Sequence, residues 1–377
     1  MPDPRLGSTV FEAHHDTAHG VGATMGLSTN GLAALQALDA HLPVRHAGFP
    51  VPRGVLWLGN GRRLGEDVRE PLPDGTTAIQ LLRSDLYGTL RELAAERGIR
   101  TVHGKRLARI THGRDHVMAH FADGSREAGD VLIGADGMHS VTRAEIDPKA
   151  PRPRYSGIFG TGGFARDIEV DAEPGDFHMV FGKKAFFGYT VRDDGCVWWF
   201  VNIPASKEPD PAAPAAVSDS EWHARLQALH ARDASPASRI IGATPPAYQW
   251  FVSHQMAAPR VWSRGRAVLI GDACHVTSPS SGQGASMAIE DAVELARCLR
   301  DLPVEQAFAA YQRLREPRLR RIHAGAKQIN WSKSATGFGR MIRDAMFPAM
   351  MRRFNRPEVL AWLHEHRIDF ERPVTAD

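Results

Sequence analysis

Cysteine is scarce in this sequence, and long apolar runs and a strong charge bias are absent. Only Cys196, Cys274 and Cys298 occur among 377 residues, without the paired spacing of a disulfide framework or a zinc site. No run approaches the roughly 20 apolar residues that span a bilayer, and residues 1–8 lack the apolar stretch of a signal peptide. These absences predict a soluble protein of a reducing compartment, the cytoplasm, with no membrane partner.

The charges are nearly balanced. Lys and Arg number 46 against 43 Asp and Glu, a formal charge of +3 that is spread along the chain. A nucleic-acid surface needs a basic patch, so the expected partner is a small molecule. With 43% apolar residues, a chain of 377 residues is long enough for two domains. Whether it is a monomer or a homodimer stays open.

The residue pattern changes twice along the chain. Helices are predicted over residues 30–42, 84–97 and 283–299, and a hairpin over 55–64 turns at Asn60-Gly61. Between about 151 and 260 aromatic residues cluster and the helical period fades, which indicates an antiparallel sheet. We therefore predict an α/β domain in two parts, 1–150 and 261–330, interrupted by a sheet domain, 151–260, and followed by a helical segment, 331–377. The arginines between 313 and 321 predict a solvated helix on the outside.

Two segments carry the chemistry. The first is a buried strand, 267–270, that delivers Gly271 and Asp272 at its carboxyl end, followed by Pro279, Gly282, Gly284 and a helix. Open α/β sheets bind ligands at the carboxyl ends of their strands, and a helix N-terminus favours negative charge there. Such a site suits the N1/C2=O edge of a reduced flavin.

The second segment is a strand, 130–133, that ends in Gly134, Asp136 and Gly137, with a short helix after it. An aspartate in this position can reach a polar ligand while the glycine beside it avoids a clash. Taken alone, the segment is equally well explained as an Asp-Gly turn after a strand.

Together the two segments resemble motifs of the FAD-dependent aromatic hydroxylases, the para-hydroxybenzoate hydroxylase type. The chain matches every position of GDAxHxxxPxxGxGxxxxxEDA and of GADGxxSxxR. The resemblance implies an α/β fold, a discontinuous Rossmann-like FAD-binding domain with an inserted antiparallel-sheet substrate domain. It implies that Asp272 binds the ribityl chain of FAD, that Pro279, Gly282 and Gly284 lie against the flavin ring, and that Gly271 is a further cofactor-binding residue. It also implies that Asp136 and Gly137 contact both FAD and NAD(P)H, that Glu12 binds the adenosine ribose, and that Arg83 contacts FAD between its phosphates and ribityl chain.

One part of the family pattern is not found. The family opens with a strand, a G-x-G-x-x-G turn and a helix that bind the FAD pyrophosphate, and the ribose acid follows about 20 residues later. Here Glu12 comes first, so we predict that the first βα unit is missing. The Gly-rich residues 20–26 resemble the stretch after the ribose acid instead. Two alternatives follow: a remnant that binds a ligand or a partner without FAD, or a sequence whose recorded start omits its true beginning.

The resemblance also implies a reaction. Family members reduce FAD with NAD(P)H, bind O2 as a flavin C4a-hydroperoxide, and transfer one oxygen atom to an aromatic or other electron-rich small molecule. Phe186, Tyr189, Trp198 and Phe200 are candidates to line the substrate pocket between sheet and flavin, and no general base is identified. His275 matches a structural position at the edge of the flavin. A flavin-dependent halogenase is a weaker alternative, because residues 198–204 depart from the W-x-W-x-I-P spacing.

Overall fold

The computed structural model describes residues 7–15, 24–68, 70–210, 216–335, 337–354 and 357–376. The strands are β1 Thr9–Phe11, β2 Thr24–Leu27, β3 Phe49–Pro50, β4 Arg53–Leu58, β5 Arg63–Val68, β6 Ile79–Leu82, β7 Arg100–Val102, β8 Leu107–His112, β9 Val117–Phe121, β10 Arg126–Gly129, β11 Leu132–Gly134, β12 Arg154–Ala165, β13 Phe177–Phe181, β14 Phe186–Val191, β15 Val197–Pro204, β16 Phe251–Gln255, β17 Ser263–Arg264 and β18 Ala267–Leu269. The helices are α1 Thr29–Gln36, α2 His41–His46, α3 Arg83–Glu96, α4 Val141–Ile146, α5 Asp219–His230, α6 Ala237–Gly242, α7 Gly271–Cys274, α8 Gly284–Asp301, α9 Val304–Ser334, α10 Gly337–Phe354 and α11 Pro357–His364, with a 3-10 turn at Pro279–Ser281.

Most predicted elements are present, and one differs in extent. α3 and α8 confirm the helices predicted over 84–97 and 283–299, and β4 and β5 confirm the hairpin. The single helix predicted over 30–42 is wrong, because the chain forms α1 and α2 instead. Asp39 between them has a φ of 48°, which breaks the helical hydrogen bonding. Pro43 lies in the first turn of α2, where its missing N–H costs little.

The largest sheet has seven strands in the order β16-β12-β15-β14-β13-β4-β5. Its neighbouring strands are antiparallel except for the parallel pair β13 and β4, so the antiparallel sheet predicted from the aromatic segment is confirmed. The hairpin of β4 and β5 comes from within residues 1–150 and adds two strands to this sheet. The division of the chain into domains stays a prediction.

The two faces of this sheet are covered by different helices. Alternation along β14 and β15 directs Phe186, Trp198 and Phe200 to one face, where Phe347 of α10 packs. Phe187, Tyr189 and Trp199 point to the other face, against α5 and α6. We call the first surface the α10 face. Tyr189 therefore cannot line the same pocket as Phe186, and that part of the pocket prediction was wrong, since residues an odd number apart in a strand point to opposite faces.

The parallel strands of the α/β part lie in two separate sheets. β1 pairs with β7, and β11 pairs with β18, which also pairs antiparallel with β17. Within the described residues no strand joins the free edges of β1 and β11. Val10 and Ile133 on these strands are 48% and 47% exposed. The absence of the first βα unit and its glycine loop stays a prediction.

Candidate functional site

The carboxyl end of β18 is shaped by a buried ion network. Gly271 follows the strand with a φ of 54°, and its N–H donates to Asp291 Oδ2 at 2.9 Å. The same carboxylate oxygen lies 2.6 Å from His275 Nε2. Asp291 thus closes the turn that presents Asp272 at the end of the strand. His275 is engaged in this contact, in agreement with the structural position implied for it.

Two arginines of α9, Arg315 and Arg318, complete this network, which corrects the prediction of a solvated helix at these two positions, whereas Arg313, Arg320 and Arg321 are exposed as predicted. Arg315 is 1% exposed, and it donates to Asp291 Oδ1 at 2.8 Å and to Glu290 Oε2 at 2.6 Å. Arg318 also binds Glu290. Burial would raise the pKa of both carboxyls, but Arg315 and Arg318 lower the pKa of Glu290, and His275 and Arg315 lower that of Asp291 to about 2. A signal was present in the sequence: Arg315 and Arg318 are three residues apart and so share one face of a helix, and Glu290 and Asp291 are adjacent carboxylates that could pair with them.

Asp272 has an unusual electrostatic setting. Water still reaches its side chain, but protein atoms around it remove much of its hydration, and this desolvation raises its pKa. His275 and Arg83 oppose the rise through their charges, whereas Asp291 adds to it. Arg83 lies at the start of α3, so the structure brings two predicted site residues from distant parts of the chain close enough to interact.

The segment after Asp272 leads into an uncapped helix. Gly282 has a φ of 62°, and α8 begins at Gly284 without a side-chain cap on its first N–H groups. Such a helix start binds anions through free N–H groups and the positive end of the helix dipole. Thr277 Oγ1 is buried beside Gly284 with no hydrogen-bond partner among the described residues. Pro279, Gly282 and Gly284 therefore border a place where polar ligand atoms can be bound.

A long-range contact fixes the position of this helix start. Asn30 of α1 donates to Gln283 Oε1 at 3.0 Å and to Glu290 Oε1 at 2.7 Å. Gln283 in turn donates to Ser28 Oγ at 3.1 Å. The described part of the Gly-rich stretch, β2, leads directly into α1, whereas its residues 20–23 lie outside the described residues. Asn30 and Gln283 were not predicted as site residues, since no local pattern relates positions this far apart.

Asp136 and Gly137 lie at the end of β11, next to β18. The Asp136 carboxylate accepts from Ser140 Oγ at 2.5 Å and from Thr142 N at 2.9 Å, so it stabilises the start of α4. Arg143 of α4 donates to the carbonyl of Ala273 at 2.8 Å and thereby joins the two segments. A contact of Asp136 and Gly137 with FAD stays a prediction.

Glu12 directly follows β1 of the separate two-stranded sheet. Its carboxylate accepts from the N–H of His14 at 2.9 Å, and its own N–H donates to the carbonyl of Val102. Among the described residues, no hydrogen bond or ion pair joins Glu12 to the end of β18. The structure thus groups Arg83, Gly271, Asp272, Pro279, Gly282 and Gly284, places Asp136 and Gly137 on the neighbouring strand, and leaves Glu12 apart.

The α10 face carries a buried lysine that sequence reasoning missed. Lys333 of α9 is 8% exposed, and its Nζ lies 4.1 Å from the centre of the Phe186 ring. Burial lowers its pKa to about 7. A cation over an aromatic ring gains about 0.5–2 kcal/mol, whereas removing an ammonium from water costs several kcal/mol, so the ring only partly offsets the cost. Nothing in the local sequence distinguishes this lysine from an exposed one.

Other kinds of site find no support in the described residues. No group of three or more His, Cys, Asp or Glu side chains there is arranged to hold a metal ion. None of the helices described combines the length and apolarity that crossing a membrane requires. The three cysteines are all free and buried, and burial raises the pKa of each thiol.

A strand-end carboxylate beside an uncapped helix start is an arrangement suited to binding a dinucleotide cofactor, as in the flavoprotein oxidoreductases that the sequence motifs resemble. The residues present fit FAD, because unpaired Thr277 Oγ1 and the free N–H groups of α8 face the same loop. The family described as "FAD binding domain" matches residues 19–325.

Known proteins agree with this class. The chain is 30% identical over 316 residues to aurachin C monooxygenase/isomerase of Stigmatella aurantiaca, covering 82% of this chain and 79% of the relative. It is 32% identical over 308 residues to 6-hydroxynicotinate 3-monooxygenase of Bordetella bronchiseptica, covering 74% of each. A variant of Klebsiella pneumoniae HpxO complexed with FAD has a TM-score of 0.78 at 25% identity, covering 91% of this chain and 87% of that one. The chain belongs to the family of FAD-dependent aromatic hydroxylases and is an FAD-dependent monooxygenase.

Proposed function

We propose that the protein uses NAD(P)H and O2 to hydroxylate a small aromatic or other electron-rich molecule. The observation that carries this proposal is Asp272 at the end of β18, presented beside the uncapped start of α8. The relatives reported above are monooxygenases, which favours hydroxylation over the halogenation that the tryptophans at 198 and 199 left open. Bound FAD, reduced by the nicotinamide, supplies the activation of dioxygen.

The residues of the chain bind and orient. Asp272 accepts hydrogen bonds from the ribityl hydroxyls, and its charge is balanced by Arg83 nearby. The N–H groups at the start of α8 stabilise negative charge on the pyrimidine edge of the ring, as an oxyanion hole does for an oxyanion. Asp291, Arg315 and His275 hold the turn in place without touching the cofactor. Glu12, Asp136 and Gly137 complete the binding of the nucleotide half and of the nicotinamide.

The substrate lies between the flavin ring and the α10 face. Phe186 and Phe200 lie on that face, with ring centroids 5.9 Å apart. The loop that carries Pro279 is tied to the helix covering this face, because Ser278 Oγ donates to Asn330 Oδ1 of α9 at 2.7 Å. Apolar rings here would exclude water, so that the oxygen activated by bound FAD reacts with the substrate and not with solvent.

The proposal is tested on protein purified with added FAD. We expect flavin absorbance bands to survive desalting, NAD(P)H oxidation to rise when an aromatic probe such as 6-hydroxynicotinate is added, and mass spectrometry to find the probe heavier by one oxygen atom. A colourless protein with no flavin after desalting would instead support a remnant without FAD. Flavin retention with NAD(P)H oxidation but no oxygenated product from any aromatic probe would contradict hydroxylation.

A further inference from the structure

Within the part of the chain that the structure describes, the buried ammonium of Lys333 has no counter-ion. No ion pair joins it to a carboxylate of the described residues. The carboxylate on the neighbouring helix, Asp344, is paired with Arg340 and Arg343. Arg343 also donates to the carbonyl of Ser332, the residue before Lys333, so a second cation lies in this region. A buried lysine without a counter-ion is a candidate functional position, because an ionised group removed from water gains from an incoming opposite charge.

The position of Lys333 relates it to the substrate region. It lies above Phe186 on the α10 face, and in the pairing of β14 with β15 Asn202 is directly opposite Phe186 and points to the same side. One turn earlier on α9, Asn330 binds Ser278 of the loop that leads to Pro279 and Gly282. Lys333, Asn202 and Phe186 therefore lie on the side of the sheet next to the loop that carries Pro279 and Gly282.

We propose that Lys333 binds the anionic oxygen of an ionised aromatic substrate, a carboxylate or a phenolate, with its ring against Phe186 and Phe200. This inference rests on the proposed function and narrows it to aromatic acids and acidic phenols. An incoming anion supplies the missing counter-charge, and the low dielectric of the site strengthens the attraction.

The test compares acids with their neutral amides by isothermal titration calorimetry on the FAD-loaded protein at pH 6. The probe pairs are benzoate and benzamide, nicotinate and nicotinamide, and 6-hydroxynicotinate and 6-hydroxynicotinamide. We expect at least one acid to bind about tenfold more tightly than its amide, and this preference to vanish in Lys333→Met and persist in Lys333→Arg. Lys327→Met, an exposed lysine on the same helix, is the matched control and keeps the preference.

A second readout separates binding from packing. At pH 8 the empty site holds Lys333 largely neutral, so binding of an acid takes up a proton, and the measured heat then changes with the ionisation enthalpy of the buffer. Equal affinities of acid and amide in all three pairs, or a preference that survives in Lys333→Met, would overturn the assignment. Calorimetry reports binding without turnover, so an intact acid preference without oxygenated product would count against the proposed function alone.

Discussion

Asp272 is poorly hydrated although water reaches it, and this desolvation raises its pKa, while His275 and Arg83 lower it. A carboxylate in this state gains by accepting hydrogen bonds from ligand hydroxyls. We therefore expect Asp272→Ala to weaken FAD binding about ten- to a hundredfold, the range for hydrogen bonds to a charged group. Titration of the apoprotein with FAD, followed by flavin fluorescence, measures the change.

The control for Asp272 is Asp130→Ala, an exposed aspartate that precedes β11. It should leave FAD affinity unchanged. If Asp272→Ala bound FAD as tightly as the unaltered protein, the site at the end of β18 would be misassigned.

Lys333 makes stability depend on pH. Its folded pKa of about 7 lies below the ordinary lysine value of 10.5, so above pH 7 the unfolded chain binds more protons than the folded one. Stability then rises with pH from about 7 to 10.5 by an amount on the order of a few kcal/mol, and below pH 7 the full cost of the buried charge is present. Arg343 and Asp344 of α10 are charged groups in the same region.

The variant Lys333→Met isolates this effect. Urea unfolding should show the variant to be more stable than the unaltered protein at pH 7, with the difference shrinking as the pH approaches 10. A difference that does not vary with pH would show that the lysine is neutral or solvated in the folded protein.

At the scale of elements, α8 and α9 are joined by buried ion pairs of Arg315 with Glu290 and Asp291. Replacing Arg315 by Met leaves Glu290 and Asp291 without their shared partner, and breaking a buried pair in this way costs about 3–5 kcal/mol. The variant should also lose FAD affinity, because Asp291 then no longer fixes the N–H of Gly271. Arg320→Met removes a surface pair with Glu316 on the same helix and should cost less than about 1 kcal/mol.

The same network makes the helices sensitive to acid. The folded pKa of Asp291 is about 2, below the ordinary value of 3.8, so its contribution to stability is present above pH 4 and is lost as the pH falls toward 2. In Arg315→Met this dependence should weaken, since one of the charges that lowers the pKa is gone. Thermal unfolding between pH 2 and 5, compared for the two proteins, measures it, and parallel curves would count against the network.

The sequence predicted the parts of the site that are local in the chain. Gly271, Asp272 and Gly284 fall in one strand-turn-helix pattern, and the structure places them together. Asn30 and Lys333 could not be found in this way, because their roles come from contacts with residues far away in sequence. The position of Tyr189 could have been predicted, because residues three apart in a strand point to opposite faces. Tyr189 therefore lies on the face opposite Phe186.

At the scale of the whole molecule, the parallel strands of the α/β part form two sheets, one with β1 and one with β11, and no strand of the described residues joins them. Among the described residues, β1 and β11 each pair with a strand on one side only, whereas β14 pairs with a strand on both sides. Free strand edges open more readily and attract other chains. Val10 and Ile133, each about half exposed, add apolar surface at these edges.

Hydrogen exchange measured by mass spectrometry tests this organisation. Peptides covering residues 9–11 and 132–134 should exchange much faster than a peptide covering β14, and Ile133→Lys should reduce concentration-dependent aggregation without lowering Tm. Added FAD should slow exchange around residues 271–284, because the cofactor binds there, while β1 changes less. If β1 and β11 exchanged as slowly as β14, the two sheets would be joined in solution, and the edges would not be the weakest part of the fold.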